Sequence, residues 1–182
     1  MVDYVELHCH SCFSLLGGAS SPKALVKQAA DLGMTALALT DHDAVYGAAQ
    51  FVQLAQKHNI KPILGAELTL HDQSHLTLLV KDETGWENLC ALITTARRNA
   101  AKGESLLPRG ALSKHTDGLI ALSGCSKGAI STALLRGDPD TATTIASHLA
   151  SVFGRENFYI ELQHHLLPDD NTLVNDLVDL AR

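Results

Sequence analysis

The sequence predicts an α/β fold, with short apolar strands and amphipathic helices alternating around a parallel or mostly parallel sheet or barrel. Three observations support this prediction. Short apolar runs that contain β-branched or aromatic residues recur along the chain, helical patterns alternate with most of them, and no Asn-Gly hairpin turn joins two of them. The 182 residues are enough for one such domain and too few to promise two, so we assign residues 1–182 to a single domain.

Six segments are predicted to be buried strands because each is short, apolar and bounded by polar or turn-forming residues. In chain order they are Tyr4–His8, Thr35–Thr40, Lys61–Leu68, His75–Val80, Gly118–Leu122 and Asn157–Leu162. In α/β folds, ligand-binding groups gather beyond the carboxyl ends of the strands. The residues that follow each run are therefore the candidates for a functional site.

Five helices are predicted between and after these strands. Ser21 and Asp138 are N-cap residues that a proline follows at the first helical position, and the two helices end near Gly33 and Gly154. The other three come from periodicity and capping signals. The first spans residues 44–58, the second begins with a capping box at residues 84–87, and the third runs from about Pro168 to the C-terminus.

Composition argues against several classes of protein. With 14 Lys and Arg against 20 Asp and Glu, the formal net charge is −6, whereas a standalone DNA-binding module needs excess positive charge. No apolar run approaches the roughly 20 residues of a membrane span, and no basic and then apolar leader begins the chain. The cysteines are too few for a disulfide framework in a chain this long. We therefore expect a cytoplasmic protein with no membrane partner and with reduced cysteines, which are Cys9, Cys12, Cys90 and Cys125.

His8 and His10 stand at the end of the first predicted strand. Residues i and i+2 of a strand point to the same face, about 6.5 Å apart along it, so the two imidazoles can bind one cation or neighbouring cations. The same segment contains Cys9 and Cys12 at Cys-x-x-Cys spacing. We reject a zinc knuckle or redox pair, because there is no second such pair and Cys9 would point away from the histidines.

The segment Thr40-Asp41-His42-Asp43 directly follows the second predicted strand. Either aspartate could simply cap the next helix, and Asp43 suits that role. This leaves His42 as a metal ligand and Asp41 as the candidate catalytic residue, a carboxylate that would orient the ligand.

Glu67 and Cys125 lie at or just beyond the ends of two further predicted strands. Glu67 could bridge two metal ions or could be an exposed strand end. Cys125 could be a ligand or a small buried residue, and it lacks the local signature of a nucleophilic cysteine. Residues of types that bind metal ions thus lie at the ends of four predicted strands. We therefore favour one metal site that combines His8, His10, His42, Glu67 and Cys125.

The ordered set of these segments resembles the polymerase and histidinol phosphatase (PHP) domain. The matching segments are His8-Cys9-His10, Thr40-Asp41-His42-Asp43, Gly65-Ala66-Glu67 and Ser123-Gly124-Cys125-Ser126-Lys127-Gly128. The resemblance covers nearly the whole chain. More narrowly, the chain is similar to the amino terminus of bacterial C-family DNA polymerases of the alpha-subunit type, and its segments are closest to the error-prone branch.

This resemblance implies a distorted (β/α)7 barrel with up to three metal ions at its strand ends. It implies zinc or manganese as cofactor, with magnesium and iron as alternatives, and it puts His8, His10, His42, Glu67 and Cys125 on family ligand positions. Two departures lead us to expect fewer ions and an incomplete barrel. Gly17 stands where many members have an aspartate ligand, and the family's last motif, an Asp-or-Asn-x-His after a further strand, is expected only beyond Arg182.

Three functions follow from the resemblance. The first is a PHP module of a DNA polymerase, which acts in replication and repair synthesis as a weakened metal-dependent phosphoesterase of the 3′–5′ exonuclease kind or as its structural remnant. Its partners would be the rest of the polymerase polypeptide and, through it, DNA. The second is a standalone phosphoesterase of the histidinol phosphatase type. The third is a non-catalytic scaffold.

Overall fold

The computed structural model describes residues 4–108 and 110–182, and within them the chain forms one mixed sheet covered by helices. The strands lie side by side in sequence order: β1 Ala36–Leu39, β2 Lys61–Thr69, β3 His75–Val80, β4 Leu119–Leu122 and β5 Phe158–Tyr159. The helices are α1 Pro22–Asp31, α2 Ala48–Lys57, α3 Glu83–Arg98, α4 Ala129–Leu135, α5 Pro139–Phe153 and α6 Asp170–Ala181. Two 3₁₀ turns span Leu112–Lys114 and Arg155–Asn157. The predicted α/β class is confirmed.

The prediction of a mostly parallel sheet is wrong. β1 pairs with β2 and β4 with β5 in parallel, but β3 runs antiparallel to both of its neighbours. The reason lies in the five-residue connection between β2 and β3, which turns without an Asn-Gly pair. Gln73 takes a positive φ of 67°, and the Leu70 amide donates a hydrogen bond to the Ser74 carbonyl across the turn. A search for two-residue turns misses this longer hairpin loop.

The sheet is open across the part of the chain that is described, as the prediction of an incomplete barrel requires. The predicted first strand, Tyr4–His8, contributes one parallel bridge between Glu6 and Leu37 and lies alongside β1. A groove of about 1110 Å³ separates this segment from β5 on the open side.

Both proline-started helices are confirmed, because the Ser21 hydroxyl accepts a hydrogen bond from the Ala24 amide and the Asp138 carboxylate accepts one from the Thr141 amide. The capping box at residues 84–87 is wrong in register. The N-cap of α3 is Asp82, whose carboxylate accepts from the Gly85 amide.

Two further helix predictions need correction. α2 begins at Ala48, four residues later than predicted: the chain turns at Asp43, whose φ is +51°, and enters the helix only after its N-cap, Gly47. Helix α4 was not predicted, since its seven residues are too few for a periodic pattern to stand out.

The register of the sheet brings the ends of three strands together. The parallel pairing of β1 with β2 continues past Leu39, where His42 bridges Glu67 and the Asp43 amide donates to the Glu67 carbonyl at 2.8 Å. Because β3 is antiparallel, its first residue, His75, pairs with Thr69 at the end of β2. One edge of the sheet therefore collects residues from the ends of β1 and β2 and from the start of β3.

At one contact, the backbone of helix α3 lies so close to the sheet that only a glycine fits. A Cβ added at Gly85, in the first turn of α3, would lie 1.9 Å from the carbonyl oxygen of Gly118. Gly118 itself has a φ of +72°, a conformation that favours glycine.

We expect Gly85→Ala to destabilise the fold although alanine is the better helix former. Helix propensity would gain about 1 kcal/mol, but forcing a methyl group onto the Gly118 carbonyl costs about 1–3 kcal/mol or more. Gly17→Ala is the matched control, because an added Cβ there meets nothing nearer than 3.5 Å. Urea unfolding followed by circular dichroism compares the two, and a Gly85→Ala curve that overlays the wild-type curve would contradict the close approach.

Candidate metal centre

The site is built around the carboxylate of Glu67, which is 2% exposed and faces four imidazoles. Its Oε1 lies 3.4 Å from His8 Nε2 and 3.2 Å from His75 Nδ1. Its Oε2 lies 2.9 Å from His42 Nδ1 and 3.5 Å from His10 Nε2. A single buried carboxylate therefore joins four histidines from three separate parts of the chain.

These side chains form two groups that have the donor types and spacing of a divalent metal site. One consists of His8, His10 and Glu67, and the other of His42, His75 and Glu67. Within each group the ligand atoms lie within 4.8 Å of one another. Glu67 belongs to both groups, which is the arrangement of a carboxylate that can bridge two ions.

Cys125 joins the second group from the loop after β4. Its thiol donates a hydrogen bond to Glu67 Oε1 at 3.3 Å, and its Sγ lies 3.7 Å from His75 Nδ1. The structure thus brings together all five residues that the sequence singled out as metal ligands, namely His8, His10, His42, Glu67 and Cys125.

Asp41, the candidate catalytic residue, makes its hydrogen bonds elsewhere. Its buried carboxylate accepts from the amide and hydroxyl of Ser11, both at 2.7 Å, and from the hydroxyl of Ser14 at 2.6 Å. The Ser14 hydroxyl oxygen in turn accepts from the His42 amide at 2.9 Å. The Asp41 carboxylate therefore fixes the loop after His10 and is linked through Ser14 to the His42 backbone, while the Asp41 carbonyl accepts a hydrogen bond from the Glu67 amide at 3.3 Å.

Asp43 contacts the ring of His42 and does not cap α2, so the N-cap interpretation is wrong. Asp43 Oδ2 lies 3.3 Å from His42 Nε2 and accepts from the Thr69 hydroxyl at 2.7 Å. The Thr69 hydroxyl oxygen is also 3.1 Å from His42 Nε2. Arg97 of α3 donates to the Asp43 carbonyl at 3.0 Å and so fixes this turn from behind.

Sequence reasoning missed His75 as a member of the site. The residue opens a strand, whereas the search looked beyond the carboxyl ends of strands. Recognising the hairpin between β2 and β3 would have placed the start of β3 at the same edge as the end of β2, and His75 with it.

Glu161 was also missed, although it lies in a segment that was predicted as strand. Its Oε1 is 2.7 Å from His8 Nδ1, on the side of the ring away from Glu67, and it accepts from the Gln163 side chain at 2.7 Å. A carboxylate on the second nitrogen of a ligand histidine commonly fixes the orientation of the ring and increases its basicity.

The pKa values reflect how strongly the cluster depends on its carboxylates. Burial favours the neutral form of Glu67, yet the contacts with His42, His75 and His8 outweigh it and hold the pKa of Glu67 well below its usual range. Burial likewise opposes protonation of His8, but its hydrogen bonds to Glu161 and Glu67 raise its pKa to about 9.

His10 and Cys125 are shifted toward their neutral forms. Burial lowers the pKa of His10. Burial, aided by the charge of Glu67, raises the pKa of the Cys125 thiol to about 11. Without a cation, Cys125 is therefore a protonated thiol, and ligation would require its proton to leave.

Two buried atoms at the site have no hydrogen-bond partner. Such atoms are expected where a metal ion would bind. They are Nε2 of His10 and Oε2 of Glu161. Buried polar atoms without partners are costly, and a coordinating cation is one way to satisfy them. The cleft around the cluster has a volume of about 540 Å³, so the residues present fit such an ion and leave room for a substrate.

Comparison with known proteins identifies the family. A family model described as the PHP domain matches residues 6–165. The chain is 45% identical to an error-prone DNA polymerase of Symbiobacterium thermophilum over 99% of this chain and 18% of the polymerase. It is 36% identical to DNA polymerase III subunit alpha of Treponema pallidum over 99% of this chain and 17% of that protein.

Among solved structures, the chain is similar to a two-domain protein from Bacteroides vulgatus that contains a predicted PHP-like metal-dependent phosphoesterase. The identity is 19% and the TM-score 0.46, over 73% of this chain and 41% of that protein. No helix within residues 4–108 and 110–182 is long and apolar enough to cross a membrane. The chain belongs to the PHP domain family, and over nearly its whole length it is homologous to a part of bacterial DNA polymerases that makes up less than a fifth of those proteins.

Proposed function

We propose that this chain is the PHP module of a bacterial error-prone DNA polymerase and that it binds divalent metal ions around Glu67. The observation that carries the proposal is the convergence of four imidazoles and a thiol on one buried carboxylate. Metal-free proteins have little reason to bury so many titratable groups against one another, because each must be desolvated. A shared cation makes the same arrangement favourable.

The donor types favour zinc, which prefers imidazole, thiolate and carboxylate ligands. Manganese is the second candidate, with magnesium and iron as alternatives. His8, His10 and Glu67 would hold one ion, while His42, His75, Glu67 and Cys125 would hold another. We propose fewer than three ions, because Gly17 contributes no side chain at a position where many members of the family have a carboxylate.

The reaction that such a site supports is phosphoester hydrolysis, which in a polymerase corresponds to 3′–5′ exonucleolytic proofreading. When bound, divalent cations supply a nucleophilic water at neutral pH and neutralise charge on the phosphoryl group. The residues of this chain would hold such ions beside one another and leave room in the cleft for a substrate. We propose weak hydrolysis, since Gly17 removes one ligand from the set.

Asp41 contributes to this function by positioning, in our proposal. Its three short hydrogen bonds hold the loop of Ser11 and Ser14, and Ser14 holds the His42 backbone. The carboxylate therefore fixes two ligand-bearing segments relative to each other.

The proposed partners are the rest of a polymerase polypeptide and, through it, DNA. The support is the coverage of the relatives, of which this chain matches 17–18%. Because those relatives are DNA polymerases, we propose the cytoplasm as the location. A non-catalytic scaffold is the second candidate function, and the specific observation in its favour is Gly17.

We expect Glu67→Gln to weaken zinc binding by at least about tenfold, because the variant removes the one charged ligand that both groups share. Isothermal titration with zinc and metal analysis after dialysis measure the change. Glu87→Gln, on an exposed position of α3, is the matched control and should bind zinc as the wild type does. Equal zinc affinity in the Glu67→Gln variant and the wild type would overturn the proposed site, provided that both are folded by circular dichroism.

Gly17→Asp tests why the native site is weak. An added Cβ at residue 17 meets His10 Nδ1 at an ordinary 3.5 Å, so the fold has room for the missing carboxylate beside the cluster. We expect the variant to bind about one further equivalent of manganese, a metal that prefers carboxylate ligands, and to hydrolyse bis(p-nitrophenyl) phosphate faster than the wild type. Gly17→Asn has nearly the same shape without the charge. If the aspartate and asparagine variants behave alike, Gly17 is not the cause of weak binding.

Asp41→Asn distinguishes a positioning role from direct catalysis. The variant loses the charge that strengthens hydrogen bonds to Ser11 and Ser14, so we expect a loss of about 2 kcal/mol or more in the free energy of unfolding and a lower metal affinity. Under saturating metal, hydrolysis should recover most of its wild-type rate. A rate that stays low when the metal sites are full would instead indicate that Asp41 acts in the chemical step.

A further inference from the structure

We propose that Lys127 binds the phosphoryl oxygens of the substrate at this centre and so makes the site selective for anionic phosphate esters. This inference rests on the proposed metal-dependent function and names a residue outside the ligand set. Lys127 lines the same cleft as the candidate ligands, and it is the only lysine or arginine among the described residues that do so.

The backbone of Lys127 is fixed to two candidate ligands, while its side chain projects freely. Its carbonyl oxygen accepts a hydrogen bond from the His75 amide at 3.1 Å. The next residue, Gly128, bridges His75 and donates its amide to the Cys125 carbonyl at 2.8 Å. The loop is tight, since a Cβ at Gly128 would lie 2.3 Å from the Ser123 carbonyl oxygen. The Cα of Lys127 therefore keeps a set position relative to the cluster.

The ammonium group of Lys127 is unpaired among the residues that the structure describes. Its side chain is exposed, and across residues 4–108 and 110–182 no ion pair or hydrogen bond engages it. Its side chain lines the cleft together with those of His42, His75 and Cys125. A free cation thus stands at the mouth of the cleft.

Charge balance indicates what this cation binds. The ligands would be four neutral imidazoles, the shared Glu67 carboxylate and the Cys125 thiolate, so two divalent ions held there would keep net positive charge within the ligand set. A lysine beside such a centre is repelled unless an anion lies between them. The cleft is also lined by the exposed apolar side chains of Leu15 and Leu16. A phosphoryl group with oxygens toward both the metal ions and the three ammonium donors satisfies this arrangement.

The test measures the binding of inorganic phosphate to the zinc-loaded chain, freed of excess zinc, by isothermal titration. Lys127→Gln keeps an extended polar side chain, shorter by one atom, and removes its charge. We expect at least about tenfold weaker phosphate binding with no loss of zinc affinity, because the backbone contacts of residue 127 remain and the variant only removes a charge that repels the ions. Lys127→Arg should retain most of the affinity.

Lys57→Gln is the matched control, since Lys57 is exposed near the end of α2 and does not line the cleft. Its phosphate affinity should equal that of the wild type. If zinc binds normally and phosphate binds equally well to the wild type and to Lys127→Gln, or if Lys57→Gln loses as much affinity, the inference about Lys127 is wrong and the metal site stands. A wild-type chain that takes up no zinc would overturn the proposed function and this inference together.

Discussion

The buried carboxylate of Glu67 is the constraint on which the rest of the site depends. An isolated charge at 2% exposure would be strongly disfavoured, so its position in β2 requires compensating partners on every side. The sheet supplies them through its register. Parallel pairing with β1 sets His42 beside Glu67, and the antiparallel return of β3 brings His75 to the same edge. Asp41, Asp43 and Glu161 then fix the backbone or rings around this centre.

The sequence was sufficient to predict the α/β class and the five metal-ligand candidates. Strand-end placement identified His42 and Glu67, and the two-residue period identified His8 and His10, because these signals depend only on local periodicity. His75 and Glu161 were missed for a different reason. Their contribution depends on which way β3 runs and on where the segment after β5 passes His8, and both are set by tertiary packing that no local pattern encodes. Asp43 was misassigned because a polar residue before a helix suits a cap and a ring contact equally well.

The chain belongs to the PHP family and is homologous to part of bacterial DNA polymerases, yet its net charge is −6. Contacts with a nucleic-acid backbone need positive charge, which the remainder of a polymerase can provide. Within this chain, the positive charge that would bind a phosphoryl group comes from the proposed ions and from Lys127 at the mouth of the cleft. Gly17, which lines the cleft beside His10, is the position at which we propose that the ligand set is reduced.

Anomalous X-ray scattering from crystals grown with zinc tests the central claim most directly. Data collected on both sides of the zinc absorption edge locate the ions without reference to activity. The account predicts peaks about 2.0–2.3 Å from ligand atoms, with one ion bound by His8, His10 and Glu67 and a second by His42, His75, Glu67 and Cys125. Crystals that contain zinc only on surface histidines, with no peak in contact with Glu67, would contradict it.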